Sequence, residues 1–168
     1  MTVGAITYRD IAPRDFKALH GLVSIWEVTR NLGTWPWPAD ETVTRSRCVA
    51  FEGAGFCWGI CKDNTLIGTV GVKDGGLGYM LHPDHQRQGI IAQAVKDALA
   101  TAFGLADLDT VRAHIWADNA PSRHILEKSG FEFEGTETVH ALARNGPTPR
   151  ETYGLTRARW SALMHACE

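Results

Sequence analysis

The sequence has no CxxC pair, no apolar run long enough to span a bilayer, and no excess of charge of either sign. Seventeen Lys and Arg stand against nineteen Asp and Glu, a formal net charge of −2. With a pI near 6.4, bulk electrostatics give no reason to expect a nucleic-acid partner. The start, Met1 to Ile6, lacks the basic residues and apolar stretch of a signal peptide, so a cytoplasmic location is expected. The four cysteines, Cys48, Cys57, Cys61 and Cys167, read as small buried hydrophobes in a reducing compartment. Cys57 and Cys61 fall in a strand-like segment at a spacing that puts both on one face. His82-Pro83-Asp84-His85 has two imidazoles but no further ligand group at a known spacing, so it reads as a polar loop and no metal is expected. P-loop and dinucleotide fingerprints are missing too.

What is present fits one domain over residues 1–168 with a real core. Ile6–Arg9 reads as a first strand and Asp15 to about Thr29 as one amphipathic helix. A stiff loop, Leu32 to Pro38, follows. Asp40 can cap a second helix running to about Phe51. Strands are expected at 56–62, 65–73 and 77–81, turning at Asp63-Asn64 and Asp74-Gly75-Gly76. Gly89 to Phe103 is the clearest helix. A strand over 111–116, a helix over 120–129, strands over 131–141 and 151–156 and a final helix from Arg157 to about Ala166 complete the order. Arg144 to Pro149 reads as a loop. Consecutive strands with short links favour antiparallel pairing, and the strand-helix-strand unit over 77–116 favours a parallel crossover. The expected class is a mixed α+β fold: a mostly antiparallel sheet with helices on both faces.

Two passages carry chemistry. At Gln86-Arg87-Gln88-Gly89-Ile90-Ile91 a strand gives way to a helix. Unpaired N–H groups at a helix start, a glycine that lets a phosphate approach, and an adjacent arginine suit a pyrophosphate. One strand later, Asn119-Ala120-Pro121-Ser122 opens another helix. In a crossover both turns open at the same end of adjacent strands, and Asn119 and Ser122 would line one cleft with Gly89.

These residues resemble the GNAT acetyltransferase superfamily. Leu77-Gly78-Tyr79-Met80-Leu81-His82-Pro83 followed by Gln86 to Ile91 is similar to the family's fourth strand and its [QR]-x-x-G-x-[GA] pyrophosphate loop. Asn119-x-x-Ser122 with Leu126 to Phe131 resembles its second half-site. Tyr8-Arg9 with Asp15, the Leu32–Pro38 loop, Tyr153-Gly154-Leu155 and Trp160 resemble the branch containing ribosomal-protein N-terminal acetyltransferases. Three departures stand out. Ile91 replaces a small residue. Leu126 stands where many members carry a tyrosine acid. Gly76 and Ala141 occupy places where others carry glutamate.

The resemblance implies acetyl-CoA as co-substrate, held by Met80, Leu81, His82, Gln86, Arg87, Gln88, Gly89, Ile90, Ile91, Asn119 and Ser122. It implies direct attack by an amine in a ternary complex, with a backbone N–H near Leu81 meeting the oxyanion. Ser122 is either donor to the leaving sulfur or a helix-start hydrogen bond. His140 is either a proton relay or structural. Trp35 and Trp37 form either an acceptor wall or core packing, and Tyr79 is counted with the acceptor contacts. The acceptor is a small-molecule or peptide amine, with no nucleic acid or membrane, and the assembly a monomer or homodimer. An idle acyl-CoA-binding or sensor module is the rival function.

Overall fold

The computed structural model describes residues 5–105 and 108–166; Cys167, expected to be buried, lies outside them. Seven strands form one sheet. They are β1 (Ile6–Asp10), β2 (Gly55–Lys62), β3 (Thr65–Lys73), β4 (Gly76–Leu81), β5 (Thr110–Trp116), β6 (Glu132–Ala141) and β7 (Gly146–Thr156). The spatial order is β1-β2-β3-β4-β5-β7-β6. Neighbours run antiparallel except β4 and β5, which are parallel. The two tight turns are set by left-handed pairs: Asp63 and Asn64 (φ 49 and 64), and Asp74 and Gly75 (φ 49 and 78). Such pairs match the twist of the flanking strands and fix hairpin register.

Each face of the sheet has its own core. Helix α4 (Ile90–Leu105) lays Ala94, Val95, Ala98, Leu99 and Phe103 on one face. Leu126 of α5 (Ala120–Lys128) joins that cluster, and Trp160 of α6 (Arg157–His165) stacks on Phe103. The other face is covered by α1 (Phe16–Val23), α2 (Trp26–Thr29) and α3 (Glu41–Arg47). There Leu19, Leu22, Val23 and Val28 pack on Leu66, Met80 and Cys61. Cys57 packs on the same cluster, so the two strand cysteines do share a face.

Three elements differ from their sequence patterns. The helix expected from Asp15 to Thr29 breaks at Ser24-Ile25. Ile25 is extended (φ −94, ψ 116), Ser24 donates its hydroxyl to the His20 carbonyl, and the buried Thr29 hydroxyl donates to the Val23 carbonyl. Side-chain bonds replace backbone ones, and the chain restarts at a new angle. The capped helix begins as expected, with Asp40 accepting from the Val43 amide, but ends at Arg47. The loop Arg144 to Pro149 is mostly strand: Pro147 and Pro149 pair opposite His140 and Thr138. The Pro149 carbonyl accepts from Ala117, just past the end of β5, so the nitrogens of both prolines face the side where β5 has run out. No ladder donor is lost there, and proline is tolerated.

Candidate active site

The parallel ladder between β4 and β5 is two residue pairs long: Gly76 with Arg112 and Leu77 with Ala113. Beyond it the strands part. The Gly75 carbonyl accepts from Arg112 on the β5 side, while the His82 amide donates to Ile67 on the β3 side. Backbone groups alternate along a strand, so the amides of Tyr79 and Leu81 point into the gap. The Leu81 amide, expected from the sequence as the oxyanion donor, is therefore among the groups that line the gap.

At the wide end of the gap, β4 leads through a short turn at Pro83–His85 into α4. Gly89 (φ +76) and Arg87 (φ +60) take left-handed conformations. The Gly89 carbonyl accepts from the Gln93 amide, so the helix begins there. Its first-turn N–H groups have no intrahelical acceptor. A Cβ on Gly89 would meet no atom within 4 Å, so the turn is open on that side. Two glutamines brace the turn: Gln86 donates to the Leu81 carbonyl (3.2 Å) and Gln88 to the Asp84 carbonyl (3.1 Å). Ile90 and Ile91 turn into the core, so the bulk of Ile91 stays out of the cradle. His82 accepts from the Asp84 amide. Burial lowers the His85 pKa, with Lys62 and His82 acting the same way. Among the described residues no three metal-type side chains converge.

Across the gap, Asn119 caps α5 by accepting from the Ser122 amide (3.3 Å). The cap thus uses the Asn119 side chain and the Ser122 backbone, and leaves the Ser122 hydroxyl out of it. The Tyr79 hydroxyl lies beside that hydroxyl, fully buried and without a hydrogen-bond partner. Burial pushes its pKa up to about 12, with Ser122 pulling the other way. Leu126, one turn further along α5, is fully buried. Next to Ser122, Arg123 grips Glu151 through Nε and Nη2 (3.0 and 2.9 Å), and the Tyr153 hydroxyl also donates to Glu151.

The residues expected at the acceptor divide. Trp35 is partly buried in the α1–α2 core, with the Arg47 guanidinium 4.2 Å above its ring. Trp37 is 38% exposed, its ring 5.0 Å from that of Trp26. Tyr79 packs with the α4 core, on the opposite face of the sheet from Trp35. His140 is an exposed side chain on the edge strand β6, in the half of the hairpin that overshoots β5. Sequence reasoning missed what fixes that hairpin. Arg144, at its turn, binds both carboxylate oxygens of Asp118 (2.9 and 2.8 Å) and donates through Nε to the Arg30 carbonyl at the end of α2. Asp118 also receives Arg30 (3.1 Å). No short motif marks this group, because its members come from three distant segments.

Residues 5–132 match the family model described as the acetyltransferase (GNAT) domain. The chain belongs to the GNAT acetyltransferase family. That membership makes it an acetyl-CoA-dependent acyltransferase of the N-acetyltransferase kind. The uncharacterized N-acetyltransferase YoaA of Bacillus subtilis (strain 168) is 26% identical over 164 residues, 90% of this chain and 93% of the relative. Spermidine N-acetyltransferase from Vibrio cholerae, solved with CoA and spermine, superposes with a TM-score of 0.77 at 17% identity, covering 93% of this chain and 98% of that one. The Salmonella typhimurium acetyl transferase that modifies the N-terminal serine of ribosomal protein L7/L12 gives 0.73 at 18%, covering 92% and 96%. At such identities the solved structures speak for the fold of this GNAT protein. No helix among its described residues is long and apolar enough to cross a membrane.

Proposed function

We propose that this GNAT enzyme transfers the acetyl group of acetyl-CoA to a primary amine, by direct attack in a ternary complex. One observation carries the reading: the parting of β4 and β5, which opens onto two helix starts at Gly89 and Ser122. The first α4 amides with Arg87 offer a site for the pyrophosphate. The Tyr79 and Leu81 amides run along the gap as donors for a pantetheine arm and for the thioester oxygen. The fit is supported by open space beside Gly89 and by the unpartnered Tyr79 hydroxyl on the strand that borders the gap.

Bound this way, acetyl-CoA supplies the acyl carbon. The protein's part is to align a neutral amine with it, stabilise the oxyanion through a backbone N–H, and ease departure of the sulfur. The acceptor approaches from the α1–α2 side, between the Trp37 loop and the hairpin held by Arg144. Trp37, the exposed ring of the pair, forms the wall. His140 lies on the overshooting half of that hairpin, where a relayed proton could reach solvent. The relatives' names span a polyamine and a protein N-terminus, and both are primary amines.

The test is an acceptor screen with acetyl-CoA, reading thiol release across peptides, amino acids and polyamines. Turnover with one class identifies the acceptor. CoA binding without turnover of any amine defeats the enzymatic reading in favour of a binding module.

A further inference from the structure

The Tyr79 hydroxyl lies beside Ser122 but makes no hydrogen bond of good geometry within the fold. It projects from β4 two residues past the last ladder pair, on the α4 and α5 side of the sheet. It is buried, yet no group meets it with hydrogen-bonding geometry. Buried hydroxyls are ordinarily paired, because an unpaired one has given up water for nothing. The polar groups near the start of α5 are engaged elsewhere: Arg123 and Tyr153 on Glu151, and Asn119 on the Ser122 amide. The Ser122 hydroxyl stands beside Tyr79 and has no role in the cap. A buried donor with no well-placed acceptor, on the strand that borders the gap, is satisfied when a ligand's acceptor atom reaches it.

We propose that Tyr79, paired with Ser122, donates a hydrogen bond to the departing sulfur of the thioester and keeps its own proton. This inference rests on the acetyl-transfer reading and adds to it a residue at the reacting sulfur. As the amine nitrogen bonds to the carbonyl carbon, the C–S bond breaks and its electron pair goes to sulfur. The proton lost by the amine passes to solvent. The thiolate is held by the two hydroxyls and takes its proton from solvent on release.

Donation without transfer follows from acidity. The phenol's pKa is pushed up to about 12, whereas an alkyl thiol titrates near ~8.5. The thiolate is the weaker base by roughly three orders of magnitude, so the proton stays on oxygen. The tyrosine acid missing at Leu126 is therefore replaced by a tyrosine from a strand, acting as a hydrogen-bond donor.

The experiment compares wild type with Tyr79→Phe in two measurements. In the first, CoA is bound and its thiol titrated by the ultraviolet absorbance of the thiolate. The expected result is a thiol pKa below that of free CoA in wild type, raised by about one unit in the variant. Identical titrations overturn the proposal. This measurement needs no turnover, so it decides the hydrogen bond even if acetyl transfer itself fails the acceptor screen. In the second, kcat with acetyl-CoA is expected to fall about tenfold or more, with CoA affinity unchanged. The acetyl ester of an electron-poor aryl thiol, which leaves without help, should lose much less. Equal losses with both thioesters assign the effect to packing and overturn the proposal. Removing an unpartnered hydroxyl leaves nothing unsatisfied, so the Tm of the unliganded variant should be unchanged or higher.

Discussion

Arg144 holds Asp118 in a two-pronged grip, Nη1 and Nη2 each on its own carboxylate oxygen. The same guanidinium reaches the Arg30 carbonyl through Nε and lies 5.6 Å from the centre of the Trp116 ring. The hairpin turn is thereby fastened to the end of α2 and to the start of the β5–α5 loop. Asp118 is half exposed, so the pair contributes at most about 1 kcal/mol to stability. Its larger effect should be on geometry. Arg144→Ala is expected to raise the acceptor KM severalfold while leaving CoA affinity and Tm close to wild type. Steady-state kinetics with each substrate varied in turn checks this; matched losses for both substrates would count against the assignment.

Gly89 calls for a substitution that separates sterics from strain. Its φ of +76 makes valine unfavourable whatever the ligand does, whereas asparagine tolerates left-handed backbone. Gly89→Asn should fold with nearly wild-type Tm and lose CoA affinity by tenfold or more, because its side chain fills the space over the first α4 amides. Calorimetric titration with CoA is the measurement. Retained affinity in a folded variant removes the pyrophosphate from this turn.

The two tryptophans should behave differently. Trp35 packs on the second core and lies under Arg47, so Trp35→Ala should lower Tm markedly, with a stability loss of up to the ~3–5 kcal/mol typical of removing a packed aromatic. Trp37→Ala should cost little stability and act mainly on the acceptor's kcat/KM. Thermal melts alongside kinetics resolve the pair. A large melting loss for Trp37→Ala would make it a packing residue as well.

Ser122→Ala should keep its helix cap, since the capping bond joins the Asn119 side chain to the Ser122 amide. A fall in kcat of about 10²-fold at most is expected, with Tm unchanged. Asn119→Ala should do the reverse and cost about 1 kcal/mol of stability. A drop in Tm for Ser122→Ala that accounts for its whole loss of activity would reduce this hydroxyl to a structural group.

Acid should loosen the N-terminal segment. Arg9 binds both oxygens of Asp15 at 2.7 Å, and the Ala12 amide adds a third bond. The guanidinium bond, more than anything else, holds this buried carboxyl below the usual carboxylate range. A depressed folded-state pKa means the contribution is complete above the unfolded value, about 3.9, and is lost as pH falls through the folded one. Stability should therefore decline below about pH 4 in wild type and less steeply in Asp15→Asn. Urea midpoints over that range would show it; parallel curves would place the acid sensitivity elsewhere.

The sheet and its crossover were legible because hairpin turns and strand ends are written in local chemistry: Asp63-Asn64, Asp74-Gly75, and Gly89 before an apolar helix. The broken first helix was not. Its periodicity runs on through Ser24, and only tertiary packing shows that Thr29 bonds Val23 in place of a backbone partner. The strand at Pro147 and Pro149 was hidden because proline argues against a ladder until one knows that the neighbouring strand has ended. At the site, the residue types of the phosphate turn were readable. The burial of the Tyr79 hydroxyl and the Arg30–Asp118–Arg144 group depend on long-range approach, which no local pattern encodes.

The two-pair ladder between β4 and β5 has a mechanical meaning. It is the narrow seam between two rigid half-sheets, β1 to β4 and β5 to β7, each internally stitched by long antiparallel ladders. On one face α4 spans the seam with a continuous apolar core; on the other the Arg144 grip is the polar tie from hairpin to α2. A hinge with a stiff back and a weak latch opens towards the latch. Widening the cleft on the α1–α2 side would break no ladder hydrogen bond within either half; what resists it there is the reach of Arg144 to the Arg30 carbonyl and the Arg30–Asp118 pair.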